Sequence, residues 1–313
     1  MLGRLRSLGQ ETAPIFSGAQ HAPAPVSDAD LPYLPTDLAS LDCPDWLAPR
    51  LRRSLDVQFE PVMRALQHRA KVFLRVNLAR ITPAGATAML AEDGIEVLPH
   101  PLANASLEVL TTSRKLLITK AYLSGLVELQ DVSSQAVTEA IPLSKSQKVL
   151  DYCAGGGGKT LALAARQSLQ LFAHDANPTR MRDLPERARR AGVTVTQLAD
   201  PGQHAPYDLV LVDAPCSGSG SWRRDPQGKW ALSEDRFAEL TALQAGILRK
   251  ASPLVAPQGL LVYVTCSLLA DENQDQIATF LRHSPEWCQL EDRHFTTLDG
   301  GDGFYFATLR RRI

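Results

Sequence analysis

From residue 146 onward, short apolar runs alternate with amphipathic stretches, and that rhythm admits few folds. Apolar runs stand at 148–152, 171–175, 193–198, 208–214 and 259–265. Helical patterns lie between them at 159–167, 178–191 and 233–254, and another follows at 271–283. Strands that are apolar on both faces need cover on both sides, which helices supply in a parallel sheet. Ser233 stands where an N-cap is expected, since its hydroxyl can accept from a free amide of the long helix. The predicted fold class is therefore α/β, with a doubly wound Rossmann-like sheet over residues 141–313. Ligands of such a sheet bind outside the carboxyl ends of the strands, where the strand order reverses. Every unusual residue cluster in this half falls at one of those ends.

Residues 46–140 read differently. Positions 46–66 alternate apolar and basic residues at helical spacing, 72–77 reads as a strand, and 82–93 as a helix stopped by Gly94. Short strands follow at 95–99, 107–110 and 126–131. A small α+β domain is the expectation. Residues 1–45 carry Pro14, Pro23, Pro25, Pro32, Pro35 and Pro44, and they read as an extended N-terminal arm, since proline lacks a backbone donor and fixes φ.

The glycine loop CAGGGGKT (153–160) ends the first strand of the sheet. Consecutive glycines let backbone approach a ligand closely. Three chemistries use such a loop. A P-loop NTPase needs a glycine at 153, where this chain has Cys153, although Gly158, Lys159 and Thr160 fit the rest. A dinucleotide turn needs G-x-G-x-x-G, and no later glycine completes it. An adenosylmethionine site needs the glycine turn, then an acid after the second strand for the ribose hydroxyls. Asp175 stands there, and Asp200 follows the third strand, where it is placed for the adenine amine. Each acid alone is as readily a helix cap; the ordered set across three strand ends favours a ligand.

The fourth strand runs into DAPCSGSGSWRR (213–224), and the fifth into TCS (265–267). Adjacent strand ends would bring Cys216 and Cys266 to one cleft. A lone cysteine usually packs as a small hydrophobe. Two of them, each followed by serine at one sheet edge, point instead to chemistry. Beside a methyl donor, two thiols suit a pyrimidine. One thiolate adds to carbon 6, which makes carbon 5 nucleophilic, and a second residue assists release. The attacking thiol needs an electropositive setting, for which Lys159, Arg223 and Arg224 are candidates. Asp213 is placed to hold the ring. The target base must be single-stranded or flipped out.

At these residues the chain resembles the Sun-type (Nop/Sun) RNA cytosine carbon-5 methyltransferases. DYCAGGGGKT, DAPCSGSGSWRRDP and YVTCSLLADENQ carry the resemblance, and FLRVNLAR, LQDVSSQ and GDGFYFATLRR extend it. It implies a Rossmann-like methyltransferase sheet over 141–313 and an RNA-binding module over 46–140. Cys266 is implied as nucleophile, Cys216 as the residue aiding release, and Asp213 as a contact to the base. Adenosylmethionine would be held by Cys153, Ala154, Gly155, Gly156, Gly157, Gly158, Lys159, Asp175, Asp200 and Asp213. Arg75, Asn77, Arg223 and Arg224 would contact RNA. The implied substrate is 16S ribosomal RNA, with a transfer-RNA enzyme as the second reading. A P-loop ATPase and a catalytically idle RNA-binding factor are the readings from other classes. Two departures stand out. Gly155 and Gly156 replace the family's usual Ala-Pro, and only the Pro-rich arm precedes the RNA module, where the bacterial ribosomal members often carry a helical domain.

Charge and cysteine usage bound the rest. Lys plus Arg number 33 and Asp plus Glu 34, giving a formal charge of −1. Yet residues 50–80 carry eight Arg or Lys against Asp56 and Glu60. Taken alone, that excess suits a solvated helical face; with an RNA substrate it suits a binding surface. Five dispersed cysteines with no CxxC pair imply neither a disulfide framework nor a zinc site. No apolar run is long enough to span a bilayer and no signal peptide opens the chain, so a cytoplasmic, metal-free monomer is the expectation.

Overall fold

A computed structural model describes residues 11–27, 37–111 and 113–312. The expected Pro-rich arm lies partly outside them, at 1–10 and 28–36. The basic segment forms two helices, α1 (Ala48–Leu55) and α2 (Phe59–Leu66), where the spacing predicts one. Asp56, at φ 48°, turns the chain between them.

Strand β1 (Phe73–Val76) leads to helix α3 (Pro83–Glu92), which Thr82 caps by accepting from Gly85 N at 3.1 Å. Then come β2 (Val97–Pro99), β3 (Ser106–Val109) and β4 (Val127–Leu129). They form an antiparallel sheet in the order β2-β3-β1-β4. Its apolar face packs Leu74, Val76 and Leu107 against Ala86 and Leu90 of α3.

Helix α4 (Val132–Ala140) follows in sequence but packs elsewhere. Val132, Ala136 and Val137 join Val149, Leu211 and Val262 in the core of the larger sheet. Helices α1 and α2 likewise bury Leu47, Leu51, Met63 and Leu66 against Trp222, Phe237 and Leu269. The segment 46–140 is therefore divided: only its middle forms the small sheet domain, because the apolar stripes at both ends face the larger core.

The larger domain contains β5 (Lys148–Asp151), α5 (Gly158–Ala164), β6 (Gln170–Ala173), α6 (Leu184–Ala191), β7 (Val195–Gln197), β8 (Tyr207–Asp213), α7 (Glu234–Ala251), β9 (Val255–Thr265), α8 (Gln274–His283), β10 (Trp287–Phe295) and β11 (Phe304–Arg311). Ser233 caps α7 by accepting from Arg236 N at 3.2 Å, as its position predicts. The sheet order is β10-β11-β9-β8-β5-β6-β7. Strands β5 to β9 are parallel, and β10 and β11 are antiparallel. The five predicted strands form the parallel part, and two antiparallel strands extend the sheet at one edge. Strand β11 inserts between β9 and β10 with Phe304, Tyr305 and Phe306 buried. The largely exposed β10 gives no apolar run from which a strand could be read. The order reverses between β5 and β8, which places the ligand crevice at their carboxyl ends. No helix among the described residues is long and apolar enough to cross a membrane.

Candidate active site

The crevice begins with the glycine loop between β5 and α5. Gly155 and Gly157 hold φ of +49° and +77°, which glycine adopts without steric cost. A Cβ on Gly157 would lie 2.2 Å from Leu184 Cδ1, so the loop is pressed onto α6. Buried Asp175, just past β6, accepts from Gly155 N at 3.0 Å and Asn177 N at 2.9 Å. Arg180 lies 3.3 Å from the same carboxylate. Asp151, at the end of β5, accepts from Thr160 Oγ1 at 2.6 Å, while its Oδ1 has no partner among the described residues. Burial pushes this carboxyl up to about 7. Asp200 is exposed and accepts from Gly202 N at 2.8 Å. Cys153 is partly exposed, and burial raises its thiol.

Two arginines brace this loop from behind. Arg75 Nη1 donates to Gly158 O at 2.8 Å and to Gln130 Oε1 at 2.6 Å. Arg187 donates to Gly156 O and lies 3.3 Å from Glu128. A Cβ on Gly156 would come within 2.8 Å of Arg187 Nη1. The space beside Gly156 is therefore filled by an arginine. A glycine loop, a buried acid after the second strand and an unpartnered buried carboxylate oxygen fit a nucleoside-like ligand that brings hydroxyl and ammonium donors.

The second half of the crevice holds the thiols. Cys216 Sγ and Cys266 Sγ lie 3.4 Å apart, and both residues are partly exposed. Lys159, on the first turn of α5, donates to Asp213 Oδ2 at 2.6 Å. Burial works against its charge, but Asp213 outweighs it and the ammonium is held above its ordinary value. The hydrogen bond from Cys216 holds the Cys266 thiol below its ordinary value, and Lys159 adds to this against burial and Asp213. Cys216 moves the opposite way, raised by its bond to Cys266 and by burial. The two shifts run in opposite directions, so the proton is favoured on Cys216 over Cys266. Lys159 aims at Asp213, whereas a P-loop lysine would face phosphates.

The arginines expected to meet RNA are otherwise engaged. Arg75 and Asn77 are buried, and Asn77 Nδ2 donates to Gly125 O at 3.2 Å and Ala191 O at 3.1 Å. Together with Arg75 they join the small sheet to the larger domain. Arg223 and Arg224 fork onto Asp302 at 2.8 and 2.6 Å, and Arg224 also pairs with Asp131 at 2.9 Å. Of the expected cations, Lys159 lowers the Cys266 thiol, while Arg223 and Arg224 are held by carboxylates. The excess over 50–80 is also met in space, since Arg50 and Arg53 pair with Asp271 and Arg53 with Asp275. Sequence reasoning missed Glu272, a fully buried carboxylate beneath both cysteine loops.

Known proteins are similar to this chain in sequence and fold. The family described as 16S rRNA methyltransferase RsmB/F matches residues 139–310, and the RsmF/B-like ferredoxin-like domain matches residues 43–114. The Ribosomal RNA small subunit methyltransferase B proteins of Photorhabdus laumondii and Salmonella heidelberg are each 32% identical over 285 residues, covering 86% of this chain. The chain spans 66% of the length of these curated relatives. The crystal structure of PH0851 superposes with a TM-score of 0.82 at 27% identity, covering 90% of this chain and 70% of that one. NSun6 from Pyrococcus horikoshii with SFG gives 0.74 at 17% identity, covering 86% and 98%, a likeness of fold.

Proposed function

The chain belongs to the RsmB/F family of 16S rRNA methyltransferases, and from that membership we propose that it methylates carbon 5 of a cytosine in 16S ribosomal RNA with adenosylmethionine as donor. The observation that carries the reading is the pair of thiols 3.4 Å apart beside the Lys159–Asp213 ion pair. Asp175 would take the ribose hydroxyls, the loop 153–158 would lie along the donor, and Asp151 Oδ1 would accept from its ammonium. When bound there, adenosylmethionine supplies the electrophilic methyl group.

The chain's own residues do the rest. The Cys266 sulfur forms a bond to carbon 6, and the displaced π pair makes carbon 5 nucleophilic. Lys159 favours the thiolate that begins this step. Asp213, partly exposed to the cleft, stands to accept a hydrogen bond from the ring. After carbon 5 takes the methyl, a water molecule takes the carbon 5 proton, the freed C–H pair forms the carbon 5–carbon 6 double bond, and the carbon 6–sulfur bond breaks. The pair of electrons returns to Cys266, and Cys216 S–H, already in hydrogen-bond range, stabilises the departing thiolate.

The test is product mapping. Purified protein, 16S ribosomal RNA and adenosylmethionine are incubated, and the RNA is read by bisulfite sequencing. We expect discrete protected cytosines with the wild type and none with Cys266→Ala. Methyl transfer to another atom, or equal protection with Cys266→Ala, contradicts the reading.

A further inference from the structure

The reaction above gives no task to a carboxylate buried beside both cysteine loops. Glu272 is 0% exposed and ends the turn that precedes α8. Its Oε1 accepts from Ser217 N at 2.8 Å and from Gln244 Nε2 at 2.9 Å. Its Oε2 accepts from Ser217 Oγ and from Ser267 Oγ. Ser217 follows Cys216, and Ser267 follows Cys266. One carboxylate thus holds the neighbour of each thiol. Further bonds close the same knot: Ser219 Oγ meets Ser267 Oγ at 3.0 Å, Leu268 N donates to Ser219 Oγ at 2.8 Å, and Gly220 N donates to Cys266 O at 2.9 Å.

A carboxylate out of water is costly unless donors satisfy it. Four donors do so here, and they come from three separate segments: the loop after β8, the loop after β9, and helix α7. None of those segments holds the others by regular pairing at this point. We propose that Glu272 is the positioning residue that clamps the two cysteine loops together and so keeps Cys216 and Cys266 in direct hydrogen-bond contact. Its value for catalysis rests on the methyl-transfer reading; its effect on the thiols does not. The carboxylate also favours the protonated forms of Cys216, Cys266 and Tyr263; Cys266 and burial raise Cys216 further, while Lys159 and Asp213 act on Cys266 with opposite signs.

Phenylarsine oxide tests the clamp without RNA or adenosylmethionine. Two neighbouring thiols displace its oxygen as water and bridge the arsenic. We expect one equivalent captured by the wild type and none by Cys216→Ser or Cys266→Ser. Glu272→Ala, and independently the Ser217→Ala/Ser267→Ala pair, should weaken capture about tenfold or more. If Glu272→Ala does not fold, the serine pair carries this readout. A second measurement separates clamping from general packing. In a Cys266→Ser background, Glu272→Gln keeps the shape and removes the charge. The pH midpoint of Cys216 alkylation should then fall by about one pH unit, a tenfold gain in thiolate at fixed pH. Wild-type arsenical capture by the serine pair, or an unmoved midpoint with Glu272→Gln, overturns the proposal. Because neither assay needs methyl transfer, failure of the bisulfite experiment leaves this result standing, and the converse holds.

Discussion

At the scale of single residues, the cleft works by giving two identical side chains opposite proton preferences. Lys159 provides the positive charge near Cys266, and the direction of its influence fixes an expectation. An ammonium favours a thiolate, so Lys159→Met should raise the Cys266 thiol and move the midpoint of its alkylation to higher pH. Iodoacetamide labelling followed by peptide mass spectrometry measures this; an unchanged or lower midpoint contradicts the assignment. Cys216, Cys266, Asp213 and Lys159 were legible in the sequence because thiols, an acid and a lysine at successive strand ends have few other uses. Glu272 was not, since an acid before a helix reads as an ordinary first-turn residue. Its four donors come from positions up to 55 residues away, and only the folded loops bring them together. The burial of Arg75 and Asn77, and the carboxylate partners of Arg223 and Arg224, were not legible for the reverse reason. Arginine reads as surface by default, yet these side chains find carbonyls and carboxylates inside the protein.

At the scale of elements, the site depends on a loop held by its neighbours. Gly155 to Gly158 have no side chains with which to stiffen themselves, and glycine loses more conformational freedom on ordering than any other residue. Helix α6 supplies Leu184 against Gly157 and Arg187 against Gly156, while β1 supplies Arg75 to Gly158. Arg187→Ala should therefore weaken adenosylmethionine binding about tenfold by calorimetry, with binding regained in Arg187→Ala/Gly156→Pro, where the ring restores stiffness. Wild-type affinity in the single variant contradicts this account of the loop. The parallel strands were readable as apolar runs. The antiparallel β10 was not, because it is largely exposed and alternates little. The break between α1 and α2 also escaped, since Asp56 at positive φ carries no signal that glycine would have given.

At the scale of the whole molecule, the formal charge of −1 includes a basic segment that finds some of its partners only in the folded chain. The local excess at 50–80 is answered in part by Asp271 and Asp275 from the far end of the chain. The same pairing docks α1 onto the catalytic domain. The small sheet is joined to that domain through Asn77, Arg190 and Glu128. A Cβ on Gly125 would lie 2.0 Å from Arg190 O, so the two bodies meet backbone to backbone. The small sheet, the glycine loop and the thiols therefore belong to one packed unit, and a single trapped intermediate tests how they act together. Cys216→Ala with cytosine-containing 16S ribosomal RNA and adenosylmethionine should yield a protein–RNA adduct that survives a denaturing gel. The adduct should vanish in Cys216→Ala/Cys266→Ala. An adduct that persists without Cys266, or normal turnover by Cys216→Ala with no trapped species, would contradict the central claim that one thiol attacks and the other releases.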